Sequence, residues 1–386
     1  MTTDALPVAG PVGRPAARPS TPWLELDVRV AADRYRRLAR SLPGAHVHYA
    51  VKANPEPALL RTLVREGASF DVASPAEVEL CLDAGADPAT LSYGNTIKKA
   101  GDIRSAFARG VRTYTFDCED DLVNIARHAP GSTVLCRLLA SGEGARWPLG
   151  RKFGCDRRMA ADLLLKAATL DVDPAGLAFH VGSQQLEPGR WAGSIAEAAS
   201  IFALLRRQGL RLRLLNAGGG FPVRYHDDVP TIEEYGRAIG AAVDRHFPAD
   251  VGRPTLMIEP GRYVAAEAGV LHAGVVSIAR KSYDDDRRWV YLDVGRFGGL
   301  AETENEAIRY HIRTPCDGGE TGPVILAGPT CDSADVLYER SGYRLPLALR
   351  PGDEVAIEGA GAYTSTYSSV GFNGFPPLRT YTVGES

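Results

Sequence analysis

At 386 residues, 45% hydrophobic and 24% charged, the chain has an ordinary soluble globular balance and is too long for one small core. A formal net charge of −3 gives no general electrostatic case for nucleic acid or an anionic membrane, and no apolar run approaches the roughly 18 residues of a spanning helix. The six cysteines (Cys81, Cys118, Cys136, Cys155, Cys316, Cys331) form no C-x-x-C pair, so no metal site and no disulfide framework is indicated, and a reducing cytoplasm fits best.

Residues 1–22 are rich in Pro, Ala and Gly and lack the h-region of a secretory signal, so they read as a poorly ordered tail. Trp23–Val28 (WLELDV) alternates as a strand, and a helix is predicted over Val30–Leu42. Apolar runs then predict strands at Val47–Ala53, Phe70–Ala73, Leu91–Tyr93, Thr113–Asp117, Val134–Leu139, Leu177–His180, Leu212–Asn216 and Leu256–Glu259. Amphipathic segments such as Pro57–Glu66, Pro75–Ala84 and Arg190–Arg207 separate them, several opening with Pro or an Asp/Ser cap. This α/β alternation is that of a (β/α)8 barrel over 29–265. A doubly wound sheet would want a G-x-G-x-x-G turn after its first strand, and Val47–Ala53 has none. After Ala265 the segments Val270–Ile278, Trp289–Asp293, Val324–Ala327 and Glu354–Glu358 are short, β-branched and separated by Gly, Pro and Asp. They predict a β-sandwich or barrel-like domain over 266–386, joined by 23–28.

Chemistry in such a barrel sits at the C-terminal ends of the strands. There this chain has Lys52, Asp71 with Ser74, Arg137, His180 with Ser183, Asn216 with Gly218–Gly220, and Glu259. A lysine inside the apolar strand YAVKAN is costly unless something uses it; the bland alternative is a structural pair with Asp71. A buried amine with a lowered pKa can form a Schiff base, and a GGG run lets backbone N–H groups approach a phosphate, though GGG alone is as often just a tight turn. Glu259 could pair with a protonated pyridine nitrogen, Arg262 could face an anion, and His180 offers a flat ring for stacking. Pyridoxal 5′-phosphate (PLP) satisfies all of these at once.

The motifs YAVKANP (Tyr49–Pro55), FDVASPAEVEL (Phe70–Leu80), HVGSQ (His180–Gln184), NAGGGFP (Asn216–Pro222), EPGRY (Glu259–Tyr263), GPTCDSAD (Gly328–Asp335), GAYT (Gly361–Thr364) and FNGF (Phe372–Phe375) resemble the fold type III PLP decarboxylases of ornithine, lysine and diaminopimelate. The resemblance runs from about Leu24 to the C-terminus and looks nearest to the bacterial ornithine decarboxylases. It implies that Lys52 carries PLP, that Glu259 pairs with the pyridine nitrogen and that His180 stacks on the ring. Ser183, Gly218, Gly219, Gly220, Gly261, Arg262 and Tyr363 would surround the phosphate. Asp71, Glu77 and Arg137 would orient lysine and ring; Glu77 alone could be an ordinary surface charge. The resemblance further implies a homodimer with shared sites, in which Cys331 protonates the substrate carbon after carbon dioxide leaves and Asp332 binds the distal ammonium. Cys331 taken alone could be a small buried hydrophobe.

One stretch departs from the eukaryotic pattern: Gly295–Tyr310 (GRFGGLAETENEAIRY) lacks the second substrate-binding Asp. Glu302, Glu304 or Glu306 could replace it, with Glu302 preferred beside the apolar FGGL. CDSAD rather than CESGD favours a distal amine over the distal carboxylate of diaminopimelate. Alanine racemase lacks the GPTCDSAD loop, and a non-catalytic relative would have lost cofactor residues that are intact here. The expectation is therefore decarboxylation of L-ornithine to putrescine in polyamine biosynthesis, with lysine, diaminopimelate or a related diamino acid as alternatives.

Overall fold

The described residues of this computed structural model, 19–148, 152–248 and 252–385, fall into two units. One holds the described residues up to Ala31, with Glu56–Leu59 and those from Ala266 onward; the other holds Ala32–Pro55 and Leu60–Ala265. The expected tail lies outside the described residues up to residue 18. Its last part is already anchored, because the Thr21 side chain hydrogen-bonds Asp293.

The first elements are β1 (Trp23–Asp27), α1 (Val28–Ser41), β2 (His46–Ala50), α2 (Pro57–Arg65), β3 (Ser69–Val72), α3 (Pro75–Asp83), β4 (Leu91–Tyr93), α4 (Ala100–Ala108), β5 (Thr113–Phe116) and α5 (Glu119–His128). Then come β6 (Ser132–Arg137), β7 (Ala145–Trp147), α6 (Arg157–Ala167), β8 (Val172–Ala178), β9 (Ser183–Gln185), α7 (Arg190–Arg207), β10 (Leu214–Asn216), α8 (Ile232–His246), β11 (Thr255–Ile258) and α9 (Arg262–Ala265).

Strands β2, β3, β4, β5, β6, β8, β10 and β11 form a closed parallel barrel, sealed where Met257 and Ile258 pair with His46 and Val47. Most of their residues are buried, so strands such as β6 and β11 carry apolar runs (Val134–Cys136, Leu256–Ile258), whereas β2 (HVHYA) and β5 (TYTF) alternate. Leu135, Ala178 and Met257 pack together as part of this core. The β8–β10 approach requires Gly176, where a Cβ would lie 1.8 Å from the Leu214 carbonyl oxygen. Side-chain caps set the helix starts: Ser74 accepts from the Glu77 N–H, Asp156 from the Met159 N–H, and Thr231 forms a capping box with Glu234.

The second unit adds β12 (Gly269–Ala279), β13 (Arg288–Leu292), β14 (Ile312–Arg313), β15 (Thr321–Ala327), β16 (Val336–Tyr338), β17 (Arg344–Pro346), β18 (Glu354–Glu358) and β19 (Arg379–Val383). With β1 they make one nine-stranded mixed sheet. β12 is its spine: its first half pairs with β1 and β18, and its second half pairs with β13 beyond a register shift between Val275 and Ser277. Trp23 stacks on His272 at 4.2 Å, fixing β1 against β12. Among the described residues no helix is long and apolar enough to cross a membrane.

Candidate active site

The polar strand ends converge in the barrel unit. Strand β2 stops at Ala50, and Val51–Ala53 form a 3-10 turn. Lys52 is therefore on a turn at the barrel rim, not inside a buried strand as the YAVKAN run predicts, and its side chain is 47% exposed. Ala50 is the last residue of the strand: it still pairs with Asp71 of β3, and its N–H bonds the Pro260 carbonyl at 3.0 Å just before the chain turns. Lys52 Nζ lies 3.0 Å from Asp71 Oδ2, while the buried Asp71 Oδ1 has no hydrogen-bond partner among the described residues. The backbone after β4 presses on this carboxylate: a Cβ on Gly94 would lie 2.1 Å from Asp71 Oδ1 and 3.5 Å from Glu259 Oε1.

Glu77 is no surface charge. Its Oε2 accepts the Ala73 N–H at 2.6 Å, and burial pushes its carboxyl up to about 7.

Glu259 follows β11. Burial, with the Asp71 charge next, pushes it up to about 7, against the opposing pull of Lys52, Asn216 and Arg137. Asn216, at the end of β10, orients it: the Nδ2 donates to Glu259 Oε1 at 2.5 Å, and the Oδ1 accepts the Gly218 N–H at 2.9 Å. Arg137 stands over the Phe153 ring at 4.8 Å, and desolvation lowers its pKa.

The three glycines of GGG are sterically required. A Cβ would lie 2.3 Å from the Phe179 oxygen at Gly218, 2.4 Å from the Glu259 oxygen at Gly219, and 2.4 Å from the Gly182 oxygen at Gly220. Gly218 and Gly220 also have φ of +67° and +104°. His180 Nδ1 accepts the Gly182 N–H at 3.1 Å, so a neutral ring carries its proton on Nε2. Desolvation, with Arg137 and Lys52, holds its pKa well below the usual range. Arg262, 3% exposed, donates to Ser183 Oγ from Nε (3.2 Å) and Nη2 (3.1 Å), and to Tyr225 from Nη1 at 2.9 Å.

These residues fit PLP. A rim amine, an orphaned buried carboxylate oxygen, a turn of three glycines that a Cβ would obstruct and a buried arginine match the aldehyde, ring and phosphate of that group in kind.

Cys331, Asp332, Glu302 and Tyr363 belong to the second unit. Cys331 is exposed there, and its N–H bonds Asn373 Oδ1 at 3.1 Å. Asp332 Oδ1 accepts the Ala334 N–H at 2.8 Å. Asp335, 2% exposed, pins this loop: its Oδ2 takes the Thr330 N–H and hydroxyl at 3.1 and 2.7 Å, and its Oδ1 takes the Arg296 N–H at 2.8 Å. Arg296 also bonds the Ala334 carbonyl at 3.0 Å and reaches Glu304 at 3.6 Å, tying the loop to the Ala301–Glu306 turn. Of the three glutamates, Glu302 is buried, whereas Glu306 is occupied by the Glu339 and Arg340 N–H groups at 2.8 and 2.6 Å. Tyr363, at φ +57°, packs against Tyr367 with ring centroids 5.8 Å apart. Gly94, Asn216, Asp335 and Arg296 are the parts sequence reasoning left without a role. The quoted GPTCDSAD and NAGGGFP runs contain two of them, but only proximity in the fold shows what they hold.

Residues 29–266 match the family model described as pyridoxal-dependent decarboxylase, pyridoxal binding domain. The lysine/ornithine decarboxylase of Selenomonas ruminantium is 34% identical over 93% of this chain and 89% of its own length. The Vibrio vulnificus lysine/ornithine decarboxylase, solved with cadaverine, superposes with TM-score 0.84 at 34% identity, over 94% of this chain and 93% of that one. The arginine decarboxylase of Paramecium bursaria Chlorella virus, bound to agmatine, gives 0.84 at 28% identity over 95% and 98%. Decarboxylation of a basic amino acid is the reaction class these relatives share. The chain belongs to the pyridoxal-dependent decarboxylases and is a PLP enzyme that decarboxylates a basic amino acid.

Proposed function

We propose that the substrate is L-ornithine and the product putrescine, as in polyamine biosynthesis in the cytoplasm. The observation that carries this reading is the carboxylate of Asp332, directly after Cys331 on a loop held by Asp335. A fixed carboxylate there suits a distal ammonium and repels the distal carboxylate of diaminopimelate. Lysine is the second reading, supported by likeness to enzymes named for both substrates.

Lys52 would hold PLP covalently, with Asp71 and Glu77 orienting the amine. When bound, PLP draws off the electron pair that the departing carboxylate leaves behind. Glu259, steadied by Asn216, would keep the ring nitrogen protonated; His180 would stack on the ring and Arg137 fix its plane. Ser183, Gly218–Gly220, Gly261, Arg262 and Tyr363 would take the phosphate through N–H, hydroxyl and guanidinium donors. Cys331 Sγ would give a proton to the substrate Cα once carbon dioxide has left, and Asp332 with Glu302 would bind the distal amine. The reading includes a homodimer in which the Cys331 segment serves the partner's barrel.

The test is Asp332→Asn. A charge-assisted bond of roughly 1.5–3 kcal/mol predicts a loss of about 10- to several-hundred-fold in kcat/KM on ornithine with PLP still bound. Unchanged efficiency on ornithine would remove the basis for the assignment.

A further inference from the structure

Lys98 is a buried cation that the steps above do not use. Its side chain is 0% exposed, and its three donors are all matched: the Asn95 carbonyl at 2.8 Å, the Thr115 carbonyl at 2.7 Å and Asp121 Oδ2 at 2.5 Å. The acceptors come from three places, namely its own loop, barrel strand β5 and helix α5. Asp121 is also buried, at 7%. Desolvation opposes both charges, lowering the Lys98 pKa and raising Asp121 to about 6.

Stability alone is a poor reason to keep such a pair, because a well-packed apolar replacement is often no less stable. The loop it belongs to supplies another. Residues 94–99 connect β4 to α4, with Ile97 61% exposed. The Gly94 N–H bonds the Val72 carbonyl at 3.1 Å, and Asn95 reaches the Ala73 carbonyl only at 3.5 Å. Lys98 is the strong tie at the loop's other end, and it ties to the neighbouring strand. Gly94, four residues earlier, is the backbone that leaves no room for a Cβ against Asp71 Oδ1 and would bring one into ordinary contact with Glu259 Oε1 at 3.5 Å.

We propose that Lys98 is a positioning residue: its three-way tether to Asn95, Thr115 and Asp121 holds the 94–99 loop so that Gly94 walls in the Asp71 and Glu259 carboxylates that engage PLP. It acts through the loop and touches no reacting atom. The inference rests on the assignment of Asp71 and Glu259 to the cofactor, and PLP binding by the wild type tests that assignment separately.

The experiment compares Lys98→Met, the apolar double Lys98→Met/Asp121→Leu and the polar double Lys98→Gln/Asp121→Asn. Two quantities are read for each: apo-protein Tm, and the PLP dissociation constant followed by circular dichroism of the bound cofactor. Lys98→Met strands a buried carboxylate and should lower both Tm and PLP affinity. The apolar double should regain Tm while still binding PLP at least tenfold more weakly than wild type. The polar double, whose glutamine amide keeps two neutral N–H donors for the three acceptors, should bind PLP within about threefold of wild type. Wild-type PLP affinity in the apolar double would overturn the proposal by reducing the pair to a structural one. If that variant does not fold, a tenfold loss in a folded polar double overturns it instead.

Discussion

Lys52 Nζ sits 3.0 Å from Asp71 Oδ2, and the other oxygen of that buried carboxylate, Oδ1, accepts no hydrogen bond among the described residues. The aspartate thus steers the amine with one oxygen and keeps an acceptor in reserve, a costly arrangement unless the site uses it. Lys52→Ala should abolish the visible absorbance of lysine-linked PLP and nearly all turnover. Borohydride reduction followed by peptide mapping checks this, and a reducible covalent PLP adduct in the variant would contradict the assignment.

Glu259 gives a pH prediction. Its folded carboxyl titrates near 7, above the ordinary value of about 4.3. The folded apo protein therefore binds a proton more tightly than the unfolded chain, and this group's contribution to stability falls as pH rises from about 4.5 to 7. Glu259→Gln removes that loss. In the apo protein the variant should gain on wild type across this window, by about 1–3 kcal/mol at neutral pH, with the difference flat above it. Holoenzyme activity should drop by ten- to a hundredfold or so, since the amide cannot hold the ring nitrogen protonated. Paired thermal melts across pH check the first part; a gap that narrows as pH rises would refute it.

The proposed shared-site homodimer predicts complementation. Lys52→Ala and Cys331→Ala should each be inactive, yet mixed dimers rebuild one complete site from two chains. Random mixing gives about a quarter of wild-type activity. Absence of activity in a sample shown by mass spectrometry to contain heterodimers would place both residues in the site of a single chain.

Much of this was legible in the sequence because burial on both faces writes itself as apolar runs. Each predicted barrel strand overlaps its observed counterpart, although Leu177–His180 begins five residues later than β8. The early part of β8 contains Pro174 and Gly176, which depress a strand reading, and Gly176 is there because Leu214 passes close by. Lys52 lies beyond the observed end of its predicted strand, since nothing in YAVKAN marks the turn at Val51–Ala53. The two-stranded ribbon of β7 and β9, and the short β14, β16 and β17, are invisible in the sequence because strands of two or three residues carry little periodicity. Gly94, Asn216 and Asp335 act through residues distant in sequence, so their roles emerge only from the fold.

The most direct test of the account is the steady-state kcat/KM of the PLP-loaded enzyme on L-ornithine, L-lysine, L-arginine and diaminopimelate, with the amine product identified. Ornithine should be the best of the four, yielding putrescine. Lysine, longer by one methylene, should follow at roughly 10- to 200-fold lower efficiency, and diaminopimelate should stay near background. A higher efficiency on lysine or arginine would contradict the assignment to ornithine, and a higher one on diaminopimelate would contradict the role of Asp332 as well.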